Sequence, residues 1–122
     1  MNDVVFYINI FFVYLMLNFP VLLMYYNKDN FNNSSIGYKS KLAMKNKKNW
    51  LFANDRFSKL FIILNTIGLV FTMVFKFFLS NTISNVIHLT AYIFLLLVSL
   101  LATILYVELA LFQFNKRNEN NP

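Results

Sequence analysis

Three apolar segments, each long enough to cross a bilayer, constrain this chain more than any other feature of its sequence. They cover residues 4–26, 60–79 and 86–114, and together they contain one lysine and one glutamate. At about 1.5 Å of rise per helical residue, each segment can span the ~30 Å hydrocarbon core of a membrane. A composition of 58% hydrophobic and 13% charged residues leaves too little polar surface for a soluble protein of 122 residues. The sequence therefore predicts an all-α membrane protein, with three transmembrane helices in a single membrane domain.

The positive charges predict how these helices are oriented. Of the 11 lysines and arginines, all but Lys76 lie in residues 27–59, between the first two segments, or in the tail, residues 115–122. Cytoplasmic loops of membrane proteins carry an excess of lysine and arginine. We therefore expect a basic cytoplasmic loop at 27–59, a cytoplasmic tail at 115–122, an outside amino terminus and an inside carboxyl terminus.

Several kinds of chemistry find little support in the sequence. The net charge of +6 lies on one side of the membrane, so it does not indicate a nucleic-acid partner. The chain has no cysteine and one histidine, which is too few ligands for a zinc cluster. His88 begins the third segment on the outer side, far in depth from Glu108, so the two cannot form a catalytic pair. The sequence predicts no enzyme activity, no cofactor and no metal site.

The second half of the basic loop has the pattern of an amphipathic helix. Apolar residues recur at spacings of three and four in Trp50, Ala53, Phe57, Leu60 and Leu64. The opposite face is expected to be polar, with Lys47, Lys48, Asn54, Asp55, Ser58 and Lys59. We expect a helix that starts near Leu42 and runs into the second span, with its lysines against anionic lipids of the inner leaflet and Trp50 in the membrane interface. The alternative is a solvated loop whose lysines only fix the topology.

A set of residues in this loop resembles the signature of the SdpI immunity-protein family. That family carries a Gly-Tyr-Arg-Thr element, followed by Asn, Trp and Ala-Asn, ahead of a membrane span. The corresponding residues here are Gly37, Tyr38, Lys39, Ser40, Asn46, Trp50, Ala53 and Asn54. As a glycine, Gly37 can adopt backbone angles that other residues avoid. Lys39 and Ser40 replace the family's arginine and threonine, and lysine lacks the planar fork that binds a carboxylate or phosphate in two places.

The resemblance implies a protein of the bacterial inner membrane that protects its producer against a secreted toxic peptide. It also implies that these loop residues bind a partner, because family members are linked to signalling by holding a cytoplasmic regulator at the membrane. A different class of function stays open at this point. The chain is alternatively a small accessory subunit that stabilises a membrane transporter or an envelope complex by helix packing.

Polar residues inside the spans are further candidates, because burying them in lipid is costly. Counted from the cytoplasmic boundary, Asn18, Asn65 and Glu108 lie roughly 8 to 12 Å deep at 1.5 Å per residue. We expect Glu108 to contact Asn18 or Asn65 across the bundle. Alternatively, Glu108 reaches the lipid headgroups and pairs with Lys59, Arg56 or Lys116. Lys76, near the outer end, is expected to extend to water.

Overall fold

Three long helices make up most of the protein. The computed structural model describes residues 2–31, 36–79 and 82–121, so residues 32–35 of the predicted loop lie outside the described part. The helices are α1 (Asp3–Tyr26), α2 (Lys47–Leu79) and α3 (Asn85–Asn120), and a short 3-10 turn (Ala43–Lys45) precedes α2. In the described residues, these three helices are long and apolar enough to cross a membrane. The predicted all-α membrane class with three spans is therefore confirmed.

Side-chain caps mark where each helix begins. The side chain of Asn2 accepts a hydrogen bond from the Val5 amide, and that of Ser84 accepts one from the Ile87 amide. Asn46 does the same for the Asn49 amide, at 2.8 Å. Short polar side chains satisfy the free amides of a first helical turn in this way. α1 continues through Pro20 as one helix.

Two helices extend beyond the spans predicted from hydropathy. α2 already begins at Lys47, and α3 continues to Asn120. The three-and-four spacing predicts a helix from about Leu42, whereas residues 43–45 form a 3-10 turn and α2 itself begins at Lys47. As a result, much of the segment 27–59 and most of the tail 115–122 are helical rather than irregular.

Among the described residues, the helices pack around two apolar clusters, with α2 against both α1 and α3. One cluster lies near the end of the bundle that holds residues 27–31, 36–50 and 115–121, which we call the basic end. It includes Phe57 and Phe61 of α2 and Val107 and Leu111 of α3. The other cluster lies toward the opposite end, and its members are Phe6, Ile10, Tyr92 and Leu96. Large apolar side chains elsewhere on the helices are exposed, as expected where lipid is the surrounding solvent.

Lys76, at the end opposite the basic end, does not extend to water. Its side chain is 2% exposed, and its Nζ lies 2.8 Å from Asp3 Oδ1. Asn85 Nδ2 donates to the same oxygen at 3.0 Å, and the Lys76 ammonium lies 5.3 Å from the centre of the Phe6 ring. The expectation of an outward lysine is therefore wrong. The ammonium lies over Phe6 and pairs with the Asp3 carboxylate, which is itself 65% exposed at the start of α1.

Candidate functional site

The residues that carry the family resemblance lie together at the basic end. We call residues 36–46 the signature loop. Trp50, Ala53 and Asn54 are fully buried on one face of α2, and Gly37 lies against Trp50 and Asn54. Helical spacing places these three α2 residues on the same face. The chain thus folds the signature loop back onto the first turns of α2.

Gly37 is the point of closest approach between the loop and α2. A Cβ atom at this position would lie 2.6 Å from Trp50 Cζ2 and 2.9 Å from Asn54 Oδ1, and closer still to Trp50 Cη2. Real Cβ contacts are essentially never this short. The backbone angle φ of Gly37 is not positive, so the structure does not use the conformational freedom of glycine at this position. Glycine is required here because there is no room for a side chain.

Asn54 joins the loop backbone to the helix through both ends of its amide. Its Oδ1 accepts a hydrogen bond from the Tyr38 amide at 2.6 Å, and its Nδ2 donates to the Trp50 carbonyl at 2.9 Å. Ser58 Oγ donates to the Asn54 carbonyl at 2.6 Å. The expectation that Asn54 and Ser58 lie on a polar outer face is therefore wrong. Both side chains are buried, because each finds its hydrogen-bond partners inside the protein.

Trp50 lies inside the protein rather than in the membrane interface. Its side chain is 0% exposed, and its Nε1 donates to the Lys28 carbonyl at 2.9 Å. This bond connects the chain just after α1 to α2. The ring also lies under Gly37 and 5.9 Å from that of Phe31. The predicted role as an interface anchor is wrong, because the loop and the chain after α1 cover the indole.

An ion-pair cluster reinforces the same junction between α1 and α2. Lys28 Nζ lies 2.8 Å from Asp55 Oδ1, and Lys59 Nζ lies 3.0 Å from Asp55 Oδ2. Lys28 also lies 4.1 Å from the centre of the Tyr25 ring. The hydrogen bond to the Asp55 carboxylate raises the pKa of Lys28, which outweighs the opposing effect of partial burial. The lysine therefore stays charged and holds the end of α1 on α2.

Tyr38 connects the loop to α3. Its ring stacks on Phe57 with the ring centres 5.0 Å apart, and its hydroxyl donates to Glu108 Oε1 at 2.5 Å. Burial raises the pKa of Tyr38, and the hydrogen bond to Glu108 raises it further. The hydroxyl thus stays protonated and acts as a donor. A single tyrosine therefore contacts both neighbouring helices from the loop.

The predicted contact of Glu108 with Asn18 or Asn65 does not form. Asn65 Oδ1 accepts from the Tyr92 hydroxyl at 2.9 Å, and Asn18 Nδ2 donates to the Tyr14 carbonyl of its own helix at 2.9 Å. The three intramembrane polar residues therefore have separate partners. Glu108 faces the loop instead, because Tyr38 reaches it there. Among the described residues, Glu108 also forms no ion pair with the lysines and the arginine that were the alternative, Lys59, Lys116 and Arg56.

The remaining signature residues shape the loop locally. Ser40 Oγ accepts from the Ala43 amide at 3.1 Å and so holds the 3-10 turn. Asn46 caps α2 through the Asn49 amide. Lys39 is exposed. The eight predicted residues therefore divide into five that dock the loop, two polar residues that form a turn or a helix cap, and one exposed cation.

Sequence reasoning missed a second polar connection at the basic end. Asn49 is fully buried, and its Nδ2 donates to the Leu42 carbonyl at 3.1 Å and to Asn115 Oδ1 at 2.9 Å. Asn115 Nδ2 in turn donates to Glu119 Oε1 at 3.0 Å, and Glu119 pairs with Lys45. Asn49 follows Asn46 by three residues and precedes Ala53 by four. This helical spacing is the signal that could have placed it on the buried face.

The docked loop and the first turn of α2 present ammonium groups on their outer side. Lys39, Lys41, Lys47 and Lys48 are all exposed at the basic end. In the described part of the chain, no group of side chains has the arrangement needed to hold a metal ion. The basic end therefore presents a positively charged surface, which suits an anionic partner.

Comparison with known proteins agrees with this arrangement. A family model described as the SdpI/YfhL protein family matches residues 31–107. The matched segment includes the signature loop, all of α2 and much of α3. No curated protein and no solved structure matches the chain. Since the family match covers more than half of the 122 residues, this multi-pass membrane chain belongs to the SdpI/YfhL protein family.

Proposed function

We propose that the protein is an immunity protein of the bacterial inner membrane, which protects its producer against a secreted toxic peptide by binding rather than by catalysis. Membership of the family and three apolar helices support this proposal. The observation that carries it is the docked loop. The membrane topology of the chain requires only positive charge at the basic end. It does not require the contacts that connect Gly37, Tyr38, Trp50 and Asn54 there.

The second part of the proposal concerns what the docked loop does. Together with the first turn of α2, it presents exposed lysines and holds a cytoplasmic regulator at the membrane, and anionic lipids of the inner leaflet supply part of its environment. The exposed cations Lys39, Lys41, Lys47 and Lys48 are the contact groups. The buried residues Trp50 and Asn54 act indirectly, because they set the position of the loop.

The proposed function requires the basic end to face the cytoplasm. A reporter that is active only in the cytoplasm should therefore work when it is fused after Asn121 and fail when it is fused after Thr82. The physical reason is the concentration of lysine and arginine at the basic end. Reporter activity after Thr82 together with none after Asn121 would invert the orientation and place the loop outside the cell.

Survival under toxin tests the function itself. The chain is expressed in a sensitive low-GC bacterium, which is challenged with a panel of secreted toxic peptides. Wild-type cells should survive a dose that kills cells carrying an empty vector. Asn54→Ala should lose this protection because the loop no longer docks, and Lys39→Gln should weaken it because an exposed contact is lost. Lys116→Gln is the matched control. It removes one positive charge from the end of α3, and cells that express it should be protected normally.

Membrane abundance of each variant is measured in the same cells. If the peptides of the panel kill cells that express the wild-type protein as readily as cells with an empty vector, although the protein is present at normal abundance, that result would count against an immunity function. Full protection by both Asn54→Ala and Lys39→Gln would remove the loop from the mechanism. Stable recovery of the chain with subunits of one transporter or envelope complex would favour the accessory-subunit alternative.

A further inference from the structure

A cavity of about 420 Å³ opens beside the signature loop, between the loop and α3. Its lining residues are Lys41, Leu42, Lys45 and Glu108. The volume falls in the range of ~300–1,000 Å³ that is typical of small-molecule sites. The buried docking residues Trp50 and Asn54 are not among its lining residues, and the cavity shares with the docking contact only Glu108, which accepts from Tyr38.

The charges that line this cavity are incompletely paired. Glu108 accepts one hydrogen bond, from Tyr38, and has no ion-pair partner among the described residues. Lys45 pairs with Glu119, whereas Lys41 has no ion-pair partner in the described part of the chain. A carboxylate in a membrane helix is costly unless a cation or several donors satisfy it. The cavity therefore offers one acceptor and at least one cation to a ligand.

The position of Glu108 on α3 indicates where such a ligand comes from. Leu105, Leu109 and Phe112 are each more than 60% exposed and face the surrounding lipid. Lys116 follows Glu108 by eight residues, or roughly 12 Å at 1.5 Å per residue. Lys41 and Lys45 line the same cavity as Glu108, so Glu108 lies at the level where charged side chains of the loop meet the apolar part of α3. This level corresponds to the boundary between lipid headgroups and acyl chains.

We propose that the cavity binds the headgroup of an amine-bearing phospholipid, with its ammonium group on Glu108 and its phosphate on Lys41 and Lys45. A phosphate ester with a primary amine carries a negative charge that can pair with the lysines and a positive charge that can pair with Glu108. The free oxygen of Glu108 can accept from the N–H donors of this amine. A trimethylated amine carries the same charge but has no N–H to donate. The proposal does not depend on the protective function, nor on which side of the membrane the basic end faces.

Native mass spectrometry of the chain in detergent tests the site. The purified protein is titrated with phosphatidylethanolamine, phosphatidylcholine and phosphatidylglycerol that share the same acyl chains. Phosphatidylethanolamine should bind on the order of tenfold more tightly than phosphatidylcholine, as expected for a charge-assisted hydrogen bond. Glu108→Gln should abolish this preference, while its amide oxygen can still accept from Tyr38. Lys41→Gln should weaken the binding of all three lipids, because all three carry the phosphate.

Asp29→Asn removes one carboxylate from the basic end outside the cavity lining and should leave the preference intact. Circular dichroism checks that each variant keeps its helices. If Glu108→Gln does not fold, lipid binding by Lys41→Gln tests the proposal in its place. Equal binding of phosphatidylethanolamine and phosphatidylcholine by the wild type would overturn the proposal, as would a preference that survives Glu108→Gln or binding that Lys41→Gln leaves unchanged. Displacement of the lipid by millimolar soluble phosphoethanolamine would identify a water-soluble phosphoamine as the ligand and overturn the lipid assignment.

Discussion

Replacing Trp50 with alanine is expected to release the signature loop from α2 and to lower the free energy of unfolding by about 3–5 kcal/mol. The indole is fully buried beneath Gly37, and its Nε1 donates to the Lys28 carbonyl. Truncation removes both the packing and the bond that ties the end of α1 to α2. Two measurements in detergent check this: the rate of tryptic cleavage between Lys39 and Lys48, which should rise, and denaturant unfolding followed by circular dichroism.

Trp50→Phe is the matched variant for this prediction. It keeps a buried ring but loses the hydrogen bond to Lys28, so it should cost about 1 kcal/mol and speed cleavage only moderately. If Trp50 were only an interface anchor, phenylalanine would be nearly silent and alanine would leave the loop as resistant as before. Wild-type cleavage rates in the alanine variant would contradict the docked loop.

Gly37→Ala is expected to have the second-largest effect, although it adds a single methyl group. The added Cβ would lie less than 3.0 Å from atoms of Trp50 and Asn54, so the loop must move away from α2. Overpacking of this kind costs about 1–3 kcal/mol. The unfolding free energy should fall by that amount, and the cleavage rate of the loop should rise.

Gly68 supplies an internal control, because it is the other glycine of the chain. A Cβ at Gly68 would meet no atom within 4 Å. Since alanine favours a helix interior over glycine by roughly 1 kcal/mol, Gly68→Ala should be neutral or slightly stabilising. Equal behaviour of the two alanine variants would show that Gly37 is not a point of close approach.

The membrane architecture was predictable because it depends on local properties of the chain. Three apolar runs of sufficient length determine three helices, whatever their partners. The recurrence of Trp50, Ala53 and Phe57 at three and four predicted that a helix starts before the second span, although α2 begins at Lys47 and not near Leu42. Lipid exposure of most large apolar side chains needed no knowledge of tertiary contacts.

The partners at the basic end were not predictable in the same way. Asn54 and Ser58 are polar side chains, so a hydropathy pattern places them on the outer face. They are buried because the Tyr38 amide and helix carbonyls satisfy them. Glu108 was expected to contact Asn18 or Asn65 because the three residues lie at similar depths in the membrane. Depth does not determine which side of its helix a residue occupies. The partner of Glu108 is Tyr38, which lies 70 residues away in the sequence, on a loop whose docking no local pattern shows.

The fluorescence of the single tryptophan tests the docked loop most directly, because it needs no substitution. The wild-type chain is reconstituted in vesicles, and Trp50 emission is quenched in turn by acrylamide from water and by lipids brominated along their acyl chains. A fully buried indole beneath Gly37 predicts weak quenching by both agents, and Gly37→Ala should raise the quenching. Strong quenching of the wild type by brominated lipid would show an interface anchor, and strong quenching by acrylamide would show a solvated loop. Either result would contradict the docked arrangement.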